Sequence, residues 1–170
     1  TEEIKTILIG SVTSIGSNFC NKCISLTSVI FISESIIEIH DNAFKSSNLT
    51  QIIIPNSIDT LSSYAFEACS MIETFTIPKN IKEIAPETFS HCSQITRITL
   101  ENAITSIGKS AFAKCQNLLY IYLPTTISGI EYGLFSNCRN IKNIIIPSSC
   151  TFIGDYAFCD CDALTSITIP

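Results

Sequence analysis

The chain has 170 residues, 46% of them hydrophobic and only 15% charged, with a formal net charge of −5. That is enough apolar material for one full core, but it leaves no basic stripe to neutralise nucleic-acid phosphates or grip an anionic bilayer. The apolar runs Ile52–Ile54 and Ile144–Ile146 each stop at a proline, far short of the roughly 20 residues of a membrane-spanning helix. We therefore expect no nucleic-acid partner and no membrane insertion.

The opening TEEIKTILIG has no basic region ahead of an apolar one, so it is not a secretory leader. It already lies inside a repeat. Phenylalanine recurs at Phe44, Phe66, Phe89, Phe112, Phe135 and Phe158, spaced by 22 and then by 23 residues. A fixed period of this size marks stacked supersecondary units. The units open at Ile4, Leu26, Leu49, Ile72, Ile95, Leu118, Ile141 and Leu164, giving about seven turns in one domain over 1–170. The chain is expected to be part of a longer protein. Two units depart from register: Thr27–Ser35 carries one extra residue and 44–49 is one short. Stacked walls must stay aligned, so both changes should bulge into connections.

Each unit is read in the same order. Leu118, Ile121 and Leu123 followed by Pro124 predict a short strand with alternate residues inward, ended by a residue that lacks an N–H. The pairs Ile36/Ile39, Ile58/Leu61, Ile81/Ile84, Ile104/Ile107 and Ile127/Ile130 predict a second extended wall. Ala111, Phe112, Cys115 and Leu118 stand at i, i+1, i+4 and i+7, the spacing of one helical face. Pro86 fits the first position of such a helix, and Gly16, Gly108 and Gly154 fit turns that need a permissive backbone. Stacking would pair the strands in parallel at about 4.8 Å and make a slab roughly 35 Å long. Strands and helices take unequal room, so the expected fold class is an α/β repeat solenoid, a horseshoe with a parallel β-sheet on its concave face and short helices on its convex face.

The pattern L-x-x-I-x-I-P followed by I-x-x-I-G-x-x-A-F-x-x-C resembles the BspA-like leucine-rich repeats, a class of 23-residue units found in surface proteins of bacteria and parasitic protists. The resemblance spans essentially the whole chain. It implies a right-handed solenoid used for adhesion or protein binding, at a cell surface or outside the cell, although a cytoplasmic setting is also compatible. It carries no catalytic residue. The first unit departs from it, with Phe19 and Cys20 in the Ala and Phe slots, as do Thr88 and Leu134 in place of Ala.

Of nine cysteines, Cys23, Cys69, Cys92, Cys115, Cys138 and Cys161 share one slot and are expected to form an inward column. Side chains pointing in parallel about 4.8 Å apart miss the roughly 3.8 Å Cβ separation of a disulfide, which favours free thiols. Cys20-x-x-Cys23 resembles a redox or zinc half-site and Cys159-x-Cys161 a weaker one, but structural zinc needs four converging ligands. Cys150 fills a core slot of the second wall. His40 and His91 stand on different slots, the glycines are scattered singly, and Asp155, Asp160 and Asp162 lack the spacing of a calcium loop. We expect no enzyme, no metal and no cofactor. Asn48-Leu49-Thr50 is a formal glycosylation sequon whose Leu49 is a core slot.

What remains is a binding module that meets a protein or glycoprotein, such as a host surface or extracellular-matrix component, on its concave face. The alternative is a structural spacer or self-assembling repeat segment. Outward strand positions are Thr6/Leu8, Ser28/Ile30, Gln51/Ile53, Thr74/Thr76, Arg97/Thr99, Tyr120/Tyr122, Asn143/Ile145 and Ser166/Thr168. Most are what β-propensity alone would place there. The departure is Arg97, Tyr120, Tyr122, Asn143 and Ile145, rich in the residue types of binding hot spots, and these are the candidate site. With an apolar strand at one end and Ile167–Pro170 at the other, uncapped strand edges are expected to favour end-to-end self-association.

Overall fold

In the computed structural model, which describes residues 3–101 and 103–170, successive turns stack as a parallel β-solenoid. The first wall holds Thr6–Ile9, Ser28–Phe31 and Gln51–Ile52 in one ladder, then Thr74–Thr76 beside Arg97–Thr99, and Asn143–Ile145 beside Ser166–Thr168. All these pairs are parallel. Alternation does its expected work: Val29, Phe75, Ile98 and Ile144 are buried while Thr74, Arg97 and Asn143 on the other face are exposed. Proline limits the strands as expected. Where Gly10 and Ile32 replace it the strands run to four residues, and the Ile32 N–H continues the ladder by donating to Ile9 O at 2.9 Å.

The second wall pairs Ser14–Ile15, Glu38–Ile39 and Thr60–Leu61, then Glu83–Ile84 with Ser106–Ile107, and ends in the bridge Ile130↔Ile153. The two units out of register keep their slots, since Ile15 still pairs with Ile39 and Val29 with Ile52. The extra residue is taken up around Ser33 and Ser35, whose hydroxyls bond each other at 3.0 Å. Ser35 Oγ also donates to Val12 O at 3.0 Å.

The third wall corrects the expected helices: the described residues contain none. Each turn there carries two left-handed residues four positions apart, as in Asn42/Ser46, Glu87/His91 and Ser110/Lys114, with φ between 54° and 63°. A right-handed helix cannot pass through them. Alternate N–H groups instead cross to the next turn, Phe44 to Ala65 O at 2.9 Å and Phe89 to Ala111 O at 3.0 Å, while those between close tight turns three residues back. Pro86 therefore starts no helix; its carbonyl accepts the Tyr64 N–H. Gly108 and Gly154 are also needed for another reason than the one expected. Neither has a positive φ, but a Cβ there would lie 2.6 Å from Pro86 N and 2.7 Å from Tyr132 N, so glycine permits the close approach of one turn to the last.

Phe44, Phe66, Phe89, Phe112 and Phe135 are fully buried, and from Phe44 to Phe158 neighbouring rings stack with centroids 5.5–6.1 Å apart. Beside them runs the cysteine column. The thiols of Cys69, Cys92, Cys115, Cys138 and Cys161 donate to the carbonyls of Phe44, Phe66, Phe89, Phe112 and Phe135, one turn back, at 3.1–3.2 Å. In the short unit Ser47 holds this slot, fully buried, with its hydroxyl 3.4 Å from Cys69 Sγ. The column is thus a line of weak donors as well as small hydrophobes. Burial pushes Cys115 up to about 12 and Cys69 up to about 11, so these thiols stay protonated and unreactive.

Candidate functional site

The five candidate residues are all exposed and lie on three successive turns of the first wall. Arg97 and Tyr120 are bridge partners on adjacent turns, and Asn143 and Ile145 are the two exposed residues of the next strand. Tyr120 is 43% exposed and Tyr122 79% exposed, and their rings lie 6.0 Å apart at 57°. Beyond the Tyr120 bridge, Ile121–Leu123 lies outside the described strands. The wall therefore changes its side chains where its pairing thins to a bridge, and the pairing is interrupted a second time between Gln51–Ile52 and Thr74–Thr76.

Leu119 belongs to the same patch and was not among the candidates. Its slot elsewhere holds Lys5, Glu73, Lys142 and the threonines Thr27, Thr50, Thr96 and Thr165, whose hydroxyls donate to carbonyls of the preceding turn, for example Thr96 Oγ1 to Glu73 O at 3.1 Å. Leu119 gives up that bond and is exposed. Its signal in the sequence is an apolar residue in a slot otherwise held by Thr, Lys and Glu. At the other end of the wall Leu8, Ile30 and Ile53 form an exposed aliphatic stripe, with Ile53 86% exposed, beside a shallow groove of about 590 Å³.

The third wall carries a polar chain instead. Lys45 Nζ lies 2.6 Å from Glu67 Oε2, and Glu67 Oε1 lies 4.0 Å from His91 Nδ1. Lys114 Nζ stands 3.0 Å from His91 Nε2, and Ser90 Oγ 3.0 Å from Nδ1. Burial, then the neighbouring Lys114 cation, holds the imidazole below its ordinary value. A neutral ring accepting from Lys114 at Nε2 carries its proton on Nδ1, facing Ser90. Lys45 also lies over the Tyr64 ring at 5.1 Å, and the Tyr64 hydroxyl donates to Glu87 at 3.1 Å. The chain neutralises itself, and Glu87, Ser90, His91 and Lys114 line a shallow groove of about 280 Å³.

The remaining candidates do not converge. His40 Nε2 pairs with Glu38 at 3.2 Å. Asp162 faces Arg139 at 3.9 Å, Asp160 accepts from Asn137 at 3.2 Å, and the Asp155 carbonyl accepts the Gly133 N–H at 2.9 Å. Among the described residues no group of three or more His, Cys, Asp or Glu side chains is placed to hold a metal, and no helix is long and apolar enough to cross a membrane. The amide of Asn48, the sequon residue, donates to Ile24 O at 2.6 Å.

A stack of 23-residue turns with up to two short parallel strands per turn, an inward Leu/Ile frame and a Phe–Cys spine defines a leucine-rich repeat protein. The BspA type leucine rich repeat region matches in six copies over residues 1–118 and 82–170, and the chain belongs to this family. A leucine-rich repeat protein from Bacteroides ovatus is 29% identical and superposes with a TM-score of 0.89 over 96% of this chain. This chain spans 46% of that structure's length. A T. pallidum leucine-rich repeat protein is 23% identical, with a TM-score of 0.86 over 96% of this chain and 79% of its own. A leucine-rich cell surface protein from Faecalibacterium prausnitzii is 23% identical, with a TM-score of 0.61 over 97% and 59%. No curated protein matches.

Proposed function

We propose that this chain is a protein-binding, adhesive module that meets a protein or glycoprotein partner at a cell surface. The contact lies on the first wall and centres on Tyr120 and Tyr122, with Arg97, Asn143 and Ile145 around them. The observation that carries this reading is the change in the wall at Leu119–Tyr122. A spacer gains nothing from exposing a leucine in a slot otherwise polar and setting two tyrosines beside it. Tyrosine gives a partner a large flat area with little side-chain entropy to lose, and arginine adds a fork of donors. The family is typical of surface proteins, which supports the location.

The test is binding of the full chain to a panel of immobilised extracellular-matrix glycoproteins, repeated with Tyr120→Ala/Tyr122→Ala and with Leu8→Ser/Ile53→Ser. The tyrosine variant should lose binding and the aliphatic variant keep it. The opposite result would move the site to the Leu8/Ile30/Ile53 stripe, and no binding by the wild type would favour a spacer.

A further inference from the structure

In most turns the Phe slot and the Cys slot hold one ring and one thiol, as in Phe89/Cys92 and Phe112/Cys115. The first turn differs, because both slots hold cysteine. Cys20 is buried and Cys23 half-buried, both packed in the core layer of that turn. The Cys23 N–H donates to Cys20 O at 3.2 Å, closing a tight turn over Asn21 and Lys22, the latter left-handed at φ 62°. Such a turn holds its end Cα atoms within about 7 Å, and a disulfide spans Cα separations of about 4.4–6.8 Å. Phe19, one residue earlier, meets Phe44 edge-on at 6.2 Å, so this layer keeps an aromatic ring without using the Phe slot.

We propose that Cys20 and Cys23 form a reversible disulfide, a thiol–disulfide exchange site confined to the first turn, while the column from Cys69 to Cys138 stays reduced. The reaction is with a low-molecular-weight disulfide. Cys23, the more accessible of the two, attacks one sulfur of that disulfide as its thiolate and expels the other half as a thiol. Cys20 then attacks the Cys23 sulfur of the mixed disulfide and expels the second half. The protein gives up two electrons and two protons, and the small disulfide becomes two thiols.

The contrast with the column is geometric. Each column thiol from Cys69 onward points at a carbonyl of the preceding turn, whereas Cys20 and Cys23 are the two ends of one tight turn, closed by the Cys23 N–H on Cys20 O. Burial, followed by the neighbouring Cys23, pushes Cys20 up to about 12, so its attack quickens with rising pH. Cys159 and Cys161 stand two residues apart, and the Cys161 thiol is committed to Phe135 O at 3.1 Å, so they serve as an internal control.

The test uses the folded full chain in glutathione disulfide, followed by alkylation in denaturant and tryptic mapping. Lys22 lies between the two cysteines, so trypsin separates Thr6–Lys22 from Cys23–Lys45. A Cys20–Cys23 disulfide keeps the two peptides together as one species two hydrogens lighter than their sum. We expect this species to exceed every other cysteine pairing by roughly tenfold, equivalent to about 30 mV in reduction potential. Dithiothreitol should reverse it, and Cys23→Ser should abolish it. If that variant does not fold, the wild-type map decides alone. Unlinked peptides, a glutathione adduct that persists on Cys23, or prior oxidation of Cys159–Cys161 or of the column would overturn the proposal.

Discussion

Phe112 and Tyr120 belong to neighbouring segments eight residues apart, yet they follow different rules. Phe112 is fully buried between Phe89 and Phe135, at 6.1 and 5.7 Å, and any other residue there would break a stack that runs through the molecule. Tyr120 sits where other turns carry Thr, Gln, Arg, Asn or Ser, and its ring reaches solvent. The period is enforced from inside, because only inward side chains must fit the turns above and below. Outward positions are free to differ, and a difference there that serves no packing purpose is a sign of function.

The comparison breaks most visibly at the Phe column. Phe112→Ala should destabilise the chain by about 3–5 kcal/mol in chemical denaturation, as for buried aromatics in general; a loss under about 1 kcal/mol would show that the stack is not core. Next comes Gly108→Ala. Its Cβ would meet the Ala85–Pro86 backbone at 2.6–2.9 Å, and the forced shift should cost about 1–3 kcal/mol. A neutral result would mean that the turns can separate freely there.

Those two positions differ in how legible they were. The Phe column, the Cys column, the two strand walls and the displaced registers follow from period and alternation alone. The third wall did not, because Ala111, Phe112, Cys115 and Leu118 give the spacing of a helical face whether the chain winds helically or reverses through two left-handed residues. The distinguishing signal lay in the residues just before the Ala and Cys slots. Asn18, Asn42, Gly133, Asn137 and Asp160 fall there, types that tolerate positive φ, and all five adopt it. The glycines misled in the reverse direction. Gly108 and Gly154 looked like conformational residues and are steric ones. Of the candidate patch, the two tyrosines and Arg97 stood out by residue type, while Leu119 stood out only as the apolar residue in a slot of Thr, Lys and Glu.

Smaller effects sharpen the account of the cysteine column. If the Cys115 thiol matters as a donor to Phe89 O, Cys115→Ser should be tolerated better than Cys115→Ala, by about 1 kcal/mol. The natural Ser47 in this slot points the same way. If the column is only small and apolar, alanine will be the milder change.

The smallest effect is on the polar wall. Burial and Lys114 lower the His91 affinity for a proton in the folded chain, so the unfolded chain binds that proton first. Stability attributable to His91 is therefore full above its unfolded value of about 6.5 and declines as pH falls through it toward the lower folded value. The imidazole is about 43% exposed, so the slope is shallow. His91→Gln should remove it in melts taken between about pH 7 and pH 5, and an unchanged slope would show that another group titrates.

The central claim is that the inward slots carry the fold and the outward break at Tyr120 and Tyr122 carries the binding. It is tested most directly by measuring two quantities on Tyr120→Ala/Tyr122→Ala: the unfolding midpoint, and Kd for the matrix glycoprotein that the wild type binds. The account predicts a nearly unchanged midpoint and a loss of about 2 kcal/mol or more in binding, roughly thirtyfold in Kd. A folded variant that binds as tightly as the wild type would contradict it.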